Sequence, residues 1–401
     1  SMFLAAVNTP RPEYFVSPTG SDTTGTGTRS LPYATIPHAI LAGAGNGTEG
    51  AEASGAIVTL LPGDHHYDLP NSVPLTTAWL TLRSDYSEPS AITRFTSYTN
   101  NAKLDKIHVQ NMQFDQPAET NWASYMGTKR QWLDTCDIQG NFVYTVIGAG
   151  YVWKWATNCT AVDIKDTPFG NQITRNCHID GLLQDAFGGE ELLLSSSVKR
   201  HSREQTTDGN SNSPNPAHPD VWSKFIINDT GSIQYIENII IRDVTASDRI
   251  EAQGLFFKGV SAAYRDIAVV NANINNSWAY DDSNSTWAGP GYNNFQACLP
   301  FYIAGAEIYG NPDYKHFLMS NCSMWTSWIG DEAGGYGGIS FEDAVFKNNI
   351  VLSSERYMVD ANDLVTNILM PVPDGKDATY PAAWPGTLPW TSSGSGILYT
   401  N

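Results

Sequence analysis

The chain has 401 residues, 41 acidic against 23 basic, for a formal net charge of −18. That balance excludes nucleic acid and anionic membranes as general partners, because phosphate binding rests on Lys and Arg contacts, and no apolar run reaches the ~18 residues of a membrane-spanning helix. A hydrophobic share of 41% supplies a core, and 34 Gly with 22 Pro provide for many turns.

The opening SMFLAAVNTP is too short for a signal peptide and lacks its charged start. Ser1-Met2 reads as an expression remnant, which leaves an earlier removal of an export signal open. Residues 14–40 read as a strand, a Gly/Thr-rich turn and a short amphipathic segment from Tyr33 to Leu41. An apolar strand broken by Pro62-Gly63 follows at 56–69.

From residue 134 onward a short phrase recurs: DTCDIQG (134–140), TNCTAVDI (157–164), RNCHIDG (175–181), IRDVTASD (241–248), VNANINNS (270–277), SNCSMWTS (320–327) and FKNNIVLS (346–353). With Cys136, Cys159, Cys177, Val198, Val244, Ala272, Cys322 and Ile350 as equivalent marks, the steps are 23, 18, 21, 46, 28, 50 and 28 residues. About twenty residues make a coil of three short strands and three turns, at ~3.3 Å per strand residue. A repeat of that length with no helical period predicts an all-β solenoid of stacked coils, its open N-terminal end plugged by a short helix. Two of the longest steps hold REQTTDGNSNSPNPA (203–217) and AYDDSNSTWAGPGYNN (279–294). Such polar stretches cannot supply a core and should loop out from one edge. The five cysteines include no C-x-x-C pair, which argues against a cysteine metal site. Cys136, Cys159 and Cys177 should stack inward as small apolar residues, disulfides between neighbouring coils being the weaker alternative.

The order Tyr14-Phe15-Val16-Ser17-Pro18, Gly20-Ser21-Asp22, Pro32-Tyr33-Ala34-Thr35-Ile36, Ala39-Ile40 and Leu61-Pro62-Gly63-Asp64 with Tyr67 resembles the entry segment of right-handed parallel β-helix proteins of the pectate-lyase-like group. With the repeats, the resemblance spans roughly residues 14–355. It implies a single-stranded right-handed parallel β-helix with an N-terminal capping helix and long loop insertions. Residues 1–13 are then an arm, 14–355 the coils, and 356–401 a tail packed on them by its aromatics. The group holds polysaccharide lyases, glycoside hydrolases, sugar epimerases and phage tailspike depolymerases, and shared fold does not imply shared reaction.

Equivalent positions of successive coils lie ~4.8 Å apart, so a polar column down one outer face makes a site. Asp185 falls 8 residues after Cys177, Gln253 falls 9 after Val244, and Asp220 falls 22 after Val198, or about 7 once the insertion is removed. Two carboxylates on adjacent coils repel, so one keeps its proton to higher pH, the division of labour of a glycosidase. Asp185 and Asp220 are therefore the candidate catalytic pair, each with the plainer alternative of capping a turn. His218 and Gln253 would position the sugar, with His201, Arg200 and Glu190 as further contacts. Among twelve Trp, Trp222, Trp278, Trp287, Trp325 and Trp328 fall near this groove as candidate sugar platforms, and Trp222 is the first choice. Trp153 and Trp155 flank Lys154, so at least one should pack under a neighbouring loop.

The rival mechanism uses the basic residues Lys199, Arg200, Lys224, Lys258 and Arg265. In the resembling lyases, Lys or Arg neutralises a uronate and removes its C5 proton, often with calcium, which makes Lys224 the candidate base and Lys258 its companion. Asp185, Glu190, Glu191 and Asp220 could hold Ca2+ through oxygen, solvated turn carboxylates being the plainer reading; no cofactor is required by the hydrolytic mechanism. The sequence thus predicts an extracellular or virion-surface enzyme, monomeric, that cleaves a polysaccharide by hydrolysis or elimination. The alternative is a non-catalytic glycan-binding tailspike or adhesin, which would be a homotrimer.

Overall fold

The computed structural model describes residues 11–42, 56–68, 79–87, 91–98, 107–116, 131–140, 154–164, 168–170, 172–182, 186–201, 220–224, 234–250, 253–257, 262–274, 301–304, 313–324, 327–330, 340–342, 345–347, 350–352 and 368–370. The chain divides into two compact units, residues 1–173 and 174–401.

In the first unit, strands Glu13–Val16, Ile57–Leu60, Leu80–Ser84, Ile107–Gln110, Gln131–Asp134 and Lys154–Thr157 pair in that order, all parallel. Strands Gly63–Tyr67, Thr93–Tyr98, Gln113–Gln116, Asp137–Gly140 and Thr160–Ile164 form a second parallel sheet. From Ile57 onward, successive strands of the chain alternate between the two sheets, and each pairs with its equivalent one coil away. That is a parallel β-helix, whose crossovers take the right-handed course. Period-two alternation builds the core: Val58, Leu82, Val109, Leu133 and Ala156 lie in register and are buried. In the second sheet the Phe95 and Phe114 rings pack at 5.2 Å, tilted to one another, with Tyr67 edge-on to Phe95 at 5.0 Å.

The expected helix is Ile36–Ala42, which buries Ile36, Ala39 and Ile40. Thr35 caps it, its Oγ1 accepting the His38 amide at 3.3 Å. The Asp22 carboxylate fixes the approach by accepting the Ala34 amide at 2.8 Å, the Thr35 amide at 3.1 Å and the Thr35 hydroxyl at 2.7 Å. Gly20 is required beside this turn, because a Cβ there would overlap the Tyr33 carbonyl oxygen. No helix among the described residues is long and apolar enough to cross a membrane.

The strands of the second unit lie in three parallel sheets. The first orders Leu192–Leu194, Gln234–Arg242, Ala262–Val270 and Asp313–Ser320, the last pairing with both Ser340–Glu342 and Val345–Lys347. The second orders His178–Leu182, Ser197–His201, Thr245–Ile250, Asn273–Ile274, Ser323–Met324, Ile350–Leu352 and Ile368–Met370. The third orders Phe187–Gly188, Asp220–Ser223, Gln253–Phe257, Phe301–Ala304 and Ser327–Gly330. Both long insertions, 203–217 and 279–294, fall in sequence between a second-sheet and a third-sheet strand, at the same corner, and both lie outside the described residues.

The recurring phrase is the corner between the first and second sheets. Asn111, Thr135 and Asn158 in the first unit and Asn176, Ser195, Asp243, Asn271 and Asn321 in the second all take the left-handed conformation, with φ between 49° and 57°. One such residue turns the chain, and Asn and Asp tolerate that region best among non-glycines. Its amide then donates to the next coil, as from Asn176 to Leu194, Asp243 to Val270 and Asn271 to Ser320, at 2.9–3.0 Å. The following residue points inward: Met112, Cys136, Cys159, Cys177, Ser196, Val244, Ala272 and Cys322 are all buried. Cys136, Cys159, Cys177 and Cys322 are free thiols, as the inward-stacking reading expects.

Two marks require correction. The residue equivalent to Cys177 and Val244 is Ser196, since Ser197 pairs with His178 and Thr245, while Val198 pairs with Ile179 and Ala246 two places on. Ile350 pairs with Ser323 and is one place past the mark.

Candidate functional site

The third sheet of the second unit carries the central sequence prediction. Asp220 is the register partner of Gln253, neighbours on adjacent coils as expected. The corrected mark explains why: Asp220 falls 24 residues after Ser196, or 9 without the fifteen inserted residues, the same offset that separates Gln253 from Val244.

The face is not the one expected. Trp222 lies in register between Phe187 and Leu255, is 0% exposed, and its ring stands 4.9 Å from that of Phe257. It is a core residue and not a sugar platform. Asp220, two residues earlier, shares its side of the strand by alternation and is 4% exposed. An outward column through Asp220 is therefore replaced by a carboxylate on the inner side of the strand, at the corner where the insertions leave.

The remaining predicted residues separate into distinct places. Lys224 follows the far end of the same strand, four residues from Asp220 or ~13 Å at strand rise. Its Nζ lies 3.6 Å from Glu191 Oε1, both partly exposed, and its carbonyl accepts the Tyr264 hydroxyl at 2.7 Å. Gly189 keeps a side chain away from the Lys224 stem, which a Cβ would meet at 3.3 Å. Glu190 does not face a groove: it is wholly buried and accepts the Thr174 hydroxyl at 3.0 Å. Arg200 is exposed on the second sheet, in the left-handed conformation, with its guanidinium on the Asp180 carboxylate. His201 ends that strand, paired with Leu182 and Ile250. Asp185, His218 and Lys258 lie outside the described residues. Lys224–Glu191 and Glu190–Thr174 were not anticipated as pairs, because partners across a coil corner have no fixed spacing in sequence. Among the described residues no three His, Cys, Asp or Glu side chains gather as a metal site.

The described aromatic surface is in the first unit. Thr81, His108, Trp132 and Trp155 form one outward rank, register partner to register partner. His108 stacks on Trp132 at 4.1 Å, Trp155 meets Trp132 edge-on at 6.0 Å, and Trp79 stacks on Trp155 at 5.5 Å. Trp155 thus packs on other rings, a self-associated cluster. Burial pushes the His108 imidazole below its ordinary value despite Asp134 3.7 Å away, so it is neutral near pH 7. Burial would raise Asp134, but donors on Thr157, Asn158 and Gln110 hold it below the usual carboxylate range.

No protein-family model matches the sequence, and no curated protein matches it by sequence. Among solved structures the chain is similar to a rhamnogalacturonan lyase at 11% identity, covering 91% of this chain and 88% of that one with a TM-score of 0.34. It is also similar to XylC in complex with xylose, at 11% identity over 90% and 82% with a TM-score of 0.30. Pectate lyase Pel9A aligns at 12% identity over 94% and 88%, with a TM-score of 0.30. The parallel coils themselves carry the fold assignment.

Proposed function

We propose that the chain is a carbohydrate-active enzyme that cleaves glycosidic bonds of a polysaccharide lying along the coils. Coil-to-coil spacing of ~4.8 Å is close to the advance of one sugar ring, so a polymer along the axis meets equivalent side chains coil after coil. The observation that carries the reading is the register of Asp220 on Gln253, at the corner from which both long insertions leave. Loops on a rigid scaffold are where binding and catalytic groups concentrate.

In this reading Asp220 and Asp185 supply the carboxylates of a hydrolase and Gln253 and His218 position the sugar. A second reading, elimination on a uronic acid polymer, is favoured by the partly exposed Lys224 ammonium beside Glu191. Products separate the two. Hydrolysis releases reducing ends alone, and elimination also creates the ultraviolet absorbance of an unsaturated uronide. Asp220→Asn is expected to abolish turnover of the polymer that the wild-type protein cleaves, with a native melting temperature. Full activity in that variant removes Asp220 from the mechanism.

A further inference from the structure

Trp222 faces the core, and the register of the third sheet identifies what occupies the opposite face. Phe187, Trp222, Leu255 and Phe257 are each 0% exposed, so by alternation the positions next to them lie on the outer side. Gly188 pairs with Ser223, Ser223 with Phe256, Phe256 with Tyr302 and Tyr302 with Trp328, one continuous outer rank over five coils. Gly188 and Ser223 are partly exposed, whereas Val221 and Gly254, two residues earlier on the same side, are buried. The outer face therefore opens at this rank.

The rank changes character along the coils: its first two members are Gly and Ser, and its last three are all aromatic. The core does not ask for rings there, because the inner side of the Gln253–Phe257 strand already carries the buried Leu255 and Phe257. Neighbouring outer positions are small, with Gly254 two residues before Phe256, and Ala304 paired with Gly330 two residues after Tyr302 and Trp328. A row of aromatic residues on an outer sheet face, bordered by residues no larger than a methyl group, has the composition of a surface for a flat, partly apolar ligand. Coil spacing sets its period at ~4.8 Å, close to one sugar ring, and no charged residue stands in the rank.

We propose that Phe256, Tyr302 and Trp328 are the sugar-binding platform of the cleaved polymer, taking the C–H faces of uncharged pyranose rings on one side of the bond that is cut. Phe256 lies one coil and three strand residues from Asp220, ~11 Å, the length of about two sugar rings. Tyr302 and Trp328 follow on the next two coils, away from Asp220, while Ser223 and Gly188, on the Asp220 coil and the coil before it, supply no ring. The platform thus holds units two or more removed from the cut bond, and on that side alone. Pyranoses in β-1,4 linkage with equatorial hydroxyls present their C–H groups as flat faces, the shape that fits an aromatic ring. A net charge of −18 repels polyanions, so the sugars held here are uncharged.

The inference rests on the reading that a polysaccharide is the substrate, and the test separates the two. Phe256→Leu, Tyr302→Leu and Trp328→Leu keep apolar bulk and remove the flat ring, and Trp328→Phe keeps a ring. Each is compared with the wild type for KM and kcat on the polymer it cleaves, for melting temperature, and for calorimetric binding of uncharged hexasaccharides of β-1,4-linked glucose, xylose and mannose, well below melting. Each Leu variant should bind the hexasaccharide that the wild type holds about two- to tenfold more weakly and raise KM more than it lowers kcat. Trp328→Phe should recover part of the loss, and binding should vary less than about twofold between about 50 and about 500 mM salt. A wild type that cleaves polymer but binds none of these hexasaccharides, or whose Leu variants bind as tightly as it does, overturns this inference and leaves the polysaccharide reading standing. Leu variants that melt early yet bind normally mark the rank as packing and overturn it too. A wild type that neither cleaves nor binds any polysaccharide overturns both.

Discussion

Direction decides what a side chain does, and one residue shows it. Trp222 has the composition of a sugar platform, but its ring sits inside the coil against Phe257 in a rank with Phe187 and Leu255. Truncating it should leave a cavity: Trp222→Ala is expected to cost ~3–5 kcal/mol of stability by denaturant unfolding. A loss within a few tenths of a kcal/mol would return the ring to the surface. Sequence could place Asp220 beside Gln253, because that relation is a count of residues per coil. It could not place either residue on a face, because the insertion hides where the strand begins and alternation needs a fixed start.

Among the elements, the corner was the legible part of the fold. Asn followed by a small apolar residue recurs because the turn needs a residue at ease in the left-handed region and the next position faces a crowded interior. The mark slipped by two where the corner reads Ser195-Ser196-Ser197: no Asn signals the turn, Ser196 is polar though buried, and Val198 draws the eye as the apolar residue. Substitutions at one corner check the account. Asn271→Val should be ~1–2 kcal/mol less stable than Asn271→Gly, since both lose the asparagine side chain and a β-branched residue is least at ease in this conformation. The side chain contributes as well, donating to Asp243 Oδ1 at 2.9 Å. Equal melting temperatures for the two variants would contradict the conformational explanation.

For the whole molecule, acid sensitivity follows from buried groups in the first unit. Burial pushes His65 below its ordinary value, although its Nε2 bonds the Leu61 carbonyl, and it does the same to His108. The unfolded chain therefore takes up these protons first, so stability is full above about pH 6.5 and falls as pH drops from there through the folded values. A hydrogen bond from Arg29 holds Asp85 below the usual carboxylate range. Its contribution is intact above the unfolded value near about pH 4 and is lost as pH falls through the lower folded value. Melting followed from pH 8 to pH 3 should decline in two stages, the upper one reduced in His108→Gln and the lower one in Arg29→Ala. A flat profile between pH 7 and pH 5 would remove the buried imidazoles from the account.

The claim that a polysaccharide is cut on this scaffold is tested most directly by incubating the pure protein with neutral and anionic polysaccharides and following new chain ends over time, with Asp220→Asn in parallel. The account predicts ends released from at least one polymer by the wild type and none by the variant. Intact polymers throughout the panel, from a protein that melts cooperatively, would contradict it.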